Sequence, residues 1–512
     1  MVKLKYRSRF TEEFMEKVFR SVEKLIVYAK ENLYLSEKDA DYARNGIYRI
    51  LGIADFEALK GLSVDRNAGK GISSPDELLK ELVASCVEAG LIEEYQAEFI
   101  ADEVMGEITL KPSEVEKRFY EIFERDGSAA ATEWLYDQSV KSDYVKKSKL
   151  DKNPRFDAEN GLVITINKAK PEFRDPKKAV SGNSVKGGYP KCSICHENEG
   201  FAGRNKRTLR TVDVELDGKK WFWQFSPYGY FYQHGIVVNY EHTPMFVEKA
   251  TFTRLLDFVD TFPHYFIGSN AALERIGGSV LAHDHYQGGG EILPMHKAKA
   301  YCVMRSKDYP DAIVEVVDWA GTVVRVVSDN RVAIEEISNK IKEKWVNFTA
   351  PELGIIPKDE KGVHNAVSPT VVKTGRGYEM SIILRSNITS DRYPDGIFHA
   401  HPEFHIIKKE SIGLIEAQGL FILPGRLEKE LARLEDAIVN NQPIPDDMTD
   451  YSMIFDEIKA IAANDISKEN VHEAVKKELA SVCSRILDNT AVFKDKKLTV
   501  KFMNDLGFTL DK

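Results

Sequence analysis

The chain has 512 residues, with 71 basic and 80 acidic side chains and a formal net charge of −9. Its length is about three times that of a typical domain, so two or three cores are expected, and the acidic balance argues against a nucleic-acid binder that neutralises phosphates. No apolar run approaches the roughly 20 residues a membrane helix needs, the start MVKLKYRSRFTEEF has no signal-peptide core, and five scattered cysteines suit a reducing, cytoplasmic setting better than a disulfide framework.

From Phe10 to about Lys147 the sequence is charged and helix-friendly, with Phe14, Val18, Val22 and Ile26 at helical intervals. Helix starts are marked at Ser36 with Asp39 and at Ser74-Pro75. An all-helical N-terminal domain over residues 1–150 follows, and because none of the twelve histidines precedes His196 it is read as scaffold, lid or assembly module. The lysine-rich YVKKSKLDKNPR reads as a solvated linker.

Near Phe156 the pattern changes to short β-branched and aromatic runs, GLVITIN, KKWFWQF and GIVVNY, bounded by Gly, Asn and Pro. Asp217-Gly218 predicts a hairpin turn. An apolar helical pattern through Phe252, Leu255, Leu256, Phe258 and Val259 then leads to the strand-like HYFIGSN and to IGGSVLAHDHYQGGGE, completing an α+β unit over residues 151–300. A second, imperfect succession over residues 301–426 has strands IVEVVDW and TVVRVVS, a helix in IEEISNKIKEKWVNF, the strand YEMSIILRSN and a histidine cluster, His399, His401 and His405. That cluster could bind a sugar phosphate or a second metal, or hydrogen-bond within a sheet. Residues 427–512 read as a helical tail, with VHEAVKKELASVCSRIL clearly amphipathic.

The chemistry concentrates in Ile276–Glu291. Side chains two apart share one face of an extended segment, so His283, His285 and Gln287 can project into one site, and the flanking glycines would let backbone approach a bulky charged ligand. Neutral imidazole is a good nucleophile towards phosphorus near pH 7. Its lone pair must be aimed, which needs the other ring nitrogen held by an acceptor such as a backbone carbonyl. Gln287 could donate from its amide to a phosphate oxygen.

Cys192-Ser-Ile-Cys195 has the gap of a zinc knuckle. One pair is half a tetrahedral site, so histidines must complete it: His242 and His283, with His234 or His196 as substitutes. Four protein ligands leave no open position, so a bound zinc would be structural. Lys168, Lys170 and Arg174, with Arg204 and Arg207, either solvate a surface or meet an anion.

Together NPRFDAENGLVITINKAKPEFRD, KCSICHENEGFAGR, FSPYGYFYQHGIVVNYEHTPM, GGSVLAHDHYQGG and the stretch GYEMSIILRSN to GLIEAQG resemble the galactose-1-phosphate uridylyltransferases of the histidine-triad superfamily, most closely their class II branch. The resemblance spans roughly Asn153 to Arg426. It implies an α+β fold of two histidine-triad-like halves, antiparallel sheets with packed helices, between the helical N-terminal region and tail. It also implies uridylyl exchange between UDP-glucose and galactose 1-phosphate through a uridylyl-histidine, with no organic cofactor and with subunits paired as a homodimer. By that resemblance His285 is the nucleophile, His283 a zinc ligand with Cys192, Cys195 and His242, and Gln287 the phosphate contact. Asp284 and Tyr286 depart from the family's better-known motif. Uridine and phosphate contacts would fall on Lys168, Arg204, Asn270 and Ser279, and hexose contacts on Lys409, Glu416 and Gln418. Within the superfamily a nucleotide-sugar phosphorylase or nucleotidyl hydrolase is the alternative, and Gln287, where hydrolases place another histidine, favours transfer. A zinc-knuckle binding module would account for the cysteines alone.

Overall fold

The computed structural model describes residues 12–54, 70–168, 187–278, 280–462 and 466–511. They form two compact units. One comprises the N-terminal helices with residues 193–213 and 222–227, and the other comprises residues 149–192, 214–221 and 228–512.

The first unit is built on amphipathic helices. Along Glu12–Asn32 the helical repeat puts Val18, Val22 and Ile26 on one face, and each is buried, packed in a core with Ile47, Leu82 and Val104 from later helices. At Ser36 the hydroxyl accepts from the Asp39 amide and donates to the Asp39 carboxylate, stopping the chain from continuing as coil before the helix Ala40–Ile50.

Beyond the N-terminal helices the chain is mixed α+β. An eleven-stranded sheet runs in the order Thr509–Leu510, Ala300–Arg305, Ile313–Val317, Val323–Ser328, Gly377–Ser386, Asn365–Thr374, Phe266–Gly268, His285–Gly289, Gly235–Asn239, Lys219–Phe225, Val212–Leu216. The central neighbours pair antiparallel. Asp217 and Gly218 both take positive φ, +53° and +65°, as a two-residue hairpin between right-twisted strands demands. The helices Lys249–Thr261 and Arg331–Val346 pack on strand Asn365–Thr374.

GLVITIN does not join this sheet. Val163–Asn167 lies in a separate three-stranded sheet, antiparallel to Arg155–Asp157 and parallel to Leu420–Pro424. All five of its residues are buried, as suits a strand covered on both faces. The long helix Lys468–Thr490 explains part of that covering: Val471, Val475, Leu479, Val482 and Ile486 share a core with Leu162, Ile164 and Phe421. Among the described residues, no helix is long and apolar enough to cross a membrane.

Candidate active site and metal centre

Strand His285–Gly289 sets the site's alternation. Its second residue, Tyr286, is buried on one face, stacked on Trp221 at 5.0 Å between ring centroids, with its hydroxyl 3.5 Å from the Arg254 guanidinium. His285 and Gln287 therefore take the opposite face. Asp284, two residues before Tyr286, also meets Arg254, at 3.8 Å, and burial lifts its carboxyl to about 6. The two residues that depart from the family motif thus form a buried aromatic and ionic support.

The His285 ring is oriented by its own chain. Nδ1 donates to the His283 carbonyl at 2.8 Å, which puts the ring proton on Nδ1 and leaves the Nε2 lone pair to act. Burial pushes the imidazole down to about 4, so it is neutral near pH 7. Gln287 Oε1 faces His234 Nε2 at 3.4 Å, and His234 is itself buried and stacked on Tyr230.

His283 sits outside the strand, in the bend that precedes it. Cys192, Cys195, His242 and His283 bring one ligand atom each within 4.8 Å of one another. His283 Nδ1 is 3.3 Å from Cys192 Sγ. The edge of a tetrahedral zinc site, from bonds of about 2.0 to 2.3 Å, is about 3.3 to 3.8 Å, so the donor set fits that ion. His283 Nε2 donates to the Asn239 carbonyl at 2.7 Å, an outer contact of the kind that fixes a ligating imidazole. His234 and His196 lie with other partners, Gln287 and Glu199 respectively.

Two glycines of the motif are needed by the protein itself. A Cβ on Gly288 would stand 2.1 Å from the Phe266 carbonyl oxygen, and one on Gly277 would stand 2.2 Å from that of Ala271. Both therefore allow one backbone to approach another.

The remaining expected contacts disperse. Asn270 is buried, its Oδ1 accepting from the Leu414 amide at 2.9 Å while Nδ2 has no partner among the described residues. Glu416 caps the same short helix by accepting from Gly413 N, and Gln418 bonds Thr370 and the Leu414 carbonyl. Lys409 points to solvent. Its neighbour Lys408 is the buried cation, 3.0 Å from Glu416 and 3.1 Å from Glu410. Lys168 is exposed and paired with Glu428 at 2.7 Å. Arg204 Nη1 is buried without a hydrogen-bond partner among the described residues. Ser279, with Lys170 and Arg174, lies outside the described residues. His399, His401 and His405 lie outside the strands, and each ring faces a backbone carbonyl, of Ala400, Ile397 and Ala400 respectively.

The α+β sheet presents a neutral, oriented imidazole and a carboxamide on one strand face, next to a Cys2His2 cluster. Comparison with known proteins narrows the class. Residues 52–244 match the N-terminal domain of galactose-1-phosphate uridyl transferase and residues 258–452 its C-terminal domain. Galactose-1-phosphate uridylyltransferase of Bifidobacterium longum subsp. longum is 50% identical, across 96% of this chain and 99% of its own. The enzymes of that name from Halalkalibacterium halodurans and Lactococcus lactis subsp. lactis are 35% and 36% identical, across 92% and 94% of this chain and 95% and 97% of theirs. The chain belongs to the galactose-1-phosphate uridylyltransferase family.

Proposed function

We propose that the enzyme exchanges UMP between UDP-glucose and galactose 1-phosphate in two displacements at His285. In the first, the Nε2 lone pair attacks the α-phosphorus of UDP-glucose. The N–P bond forms, the P–O bond to the β-phosphate breaks, and glucose 1-phosphate leaves with the electron pair. The observation that carries this reading is the 2.8 Å hydrogen bond from Nδ1 to the His283 carbonyl. It aims Nε2, and it would stabilise the imidazolium charge that appears once Nε2 is uridylylated. In the second displacement a phosphate oxygen of galactose 1-phosphate attacks, the N–P bond breaks, UDP-galactose leaves, and the imidazole returns to neutral.

Gln287 would donate from its amide to a non-bridging phosphate oxygen, where charge builds in the transition state. Cys192, Cys195, His242 and His283 would hold zinc. With four protein ligands the ion would supply rigidity beneath the nucleophile, since His283 lends its ring to the cluster and its carbonyl to His285.

Incubation with UDP-glucose should add one uridylyl group to the intact protein by mass spectrometry, removable by galactose 1-phosphate and absent from His285→Ala. A wild-type protein that turns over without ever carrying that mass would overturn the covalent route.

A further inference from the structure

Gln287 has a problem common to every catalytic carboxamide: its two ends have nearly the same shape and opposite hydrogen-bonding character. Only the NH2 end can serve a phosphate oxygen. Something must hold the other end, and among the described residues its Oε1 faces the His234 ring at 3.4 Å.

The state of that ring follows from its surroundings. Nδ1 of His234 is buried and meets no hydrogen-bond partner among the described residues. A buried N–H without an acceptor is costly, so the single proton of the neutral imidazole belongs on Nε2, facing Gln287. Burial also pushes His234 down to about 4, so a second proton is absent at neutral pH. The ring cannot swing away: it stacks on Tyr230 at 4.7 Å and 20°, with Phe231 at 4.7 Å on a tilted approach.

Backbone register brings the two residues together. His234 immediately precedes strand Gly235–Asn239, in which Ile236 pairs with Gln287 and Gly235 with Gly288. The preceding residue, Gln233, takes a left-handed φ of +54° and is anchored by its side chain, which accepts from the Tyr265 hydroxyl at 2.7 Å. Its carbonyl fills the space a Cβ on Gly289 would need. The turn that delivers His234 is therefore locked to the strand that carries Gln287.

We propose that His234 is a positioning residue for Gln287: its Nε2–H donates to the carboxamide oxygen and so turns the NH2 group towards the transferred phosphate. This rests on the uridylyl-transfer reading above. In this role His234 acts only through the carboxamide it faces.

A double-mutant cycle read on steady-state kcat tests it. His234→Phe keeps an aromatic ring for the Tyr230 stack and removes the donor. It should lower kcat about 10-fold, with a smaller change in KM for UDP-glucose, because misorientation of one transition-state donor is at stake. In the Gln287→Ala background the same substitution should change kcat less than about 2-fold. His234→Gln, which restores an N–H donor, should recover most of the loss. An equal fall in both backgrounds, an unaltered kcat in His234→Phe, or failure of His234→Gln to recover while the Tm of all variants stays near wild type would each overturn the proposal. Absence of the uridylyl adduct in wild type would instead strike the covalent reading, and the coupling would still be measured from turnover.

Discussion

Gly288→Ala is the sharpest test of how the site is held. The new Cβ would lie 2.1 Å from the Phe266 carbonyl oxygen, 2.8 Å from Ile267 Cδ1 and 3.1 Å from Ile267 Cα. Carbon and oxygen settle at about 3.3 Å or more, so the strands must part locally by about 1 Å. Neither neighbour can give way cheaply, because Gly288 is paired with Ile267 on one side and Gly235 on the other. Overpacking of this kind costs about 1–3 kcal/mol, and a 1 Å displacement of catalytic groups costs about 10²-fold in rate. Thermal unfolding and uridylyl transfer, measured on the same preparation, should show both losses. Gly290→Ala is the control: its Cβ would meet Tyr232 Cδ1 at 3.2 Å, on a ring that is 49% exposed and can move, so it should change stability by less than about 0.5 kcal/mol. Wild-type Tm and turnover in Gly288→Ala would refute the account of the glycines as backbone contacts.

Lys408→Met should destabilise by about 3–5 kcal/mol, since it leaves Glu410 and Glu416 without their buried cation, whereas Lys409→Ala, at an exposed position, should leave Tm within experimental error; paired melting curves decide between them. Glu199 is raised from 4.5 to about 7 by burial, so the folded state binds more protons than the unfolded one across that window. Its contribution to stability is complete below about pH 4.5 and is lost as pH rises through 7. Glu199→Gln should flatten the fall in Tm between those values, and an unchanged Tm–pH slope would contradict the burial effect. Metal analysis should find one zinc per chain, and Cys192→Ala should lose it together with thermal stability; a stable protein without metal would exclude the closed-site reading.

Where a feature depended on neighbours in sequence, it was legible. The helical spacing of Val18, Val22 and Ile26, the Asp217-Gly218 turn and the α+β succession all follow from local propensity and periodicity. Features decided by distant partners were not. Nothing in GLVITIN says that Val163–Asn167 will pair in parallel with Leu420–Pro424, since a fully apolar run carries no face and hence no register. Strand Asn365–Thr374 went unread because Pro369 interrupts it, although the partner that would have used its amide is the narrow strand Phe266–Gly268. Lys408 and Lys409 are adjacent and identical in type, and only packing against Glu410 and Glu416 sends the first inward.

The same division runs through the candidate site. The aim of His285 is set by a carbonyl two residues earlier, so a histidine pair at that spacing carries its own orientation and can be read from the motif. Gln287 depends instead on His234, 53 positions away, and the two meet only because Ile236 falls opposite Gln287 in the sheet. A histidine at the mouth of a strand was therefore assigned as a spare metal ligand, the commoner role for its residue type. Cross-strand register gives it a different partner, so the orientation of the His285 ring is legible in the motif while the partner of Gln287 needs the sheet.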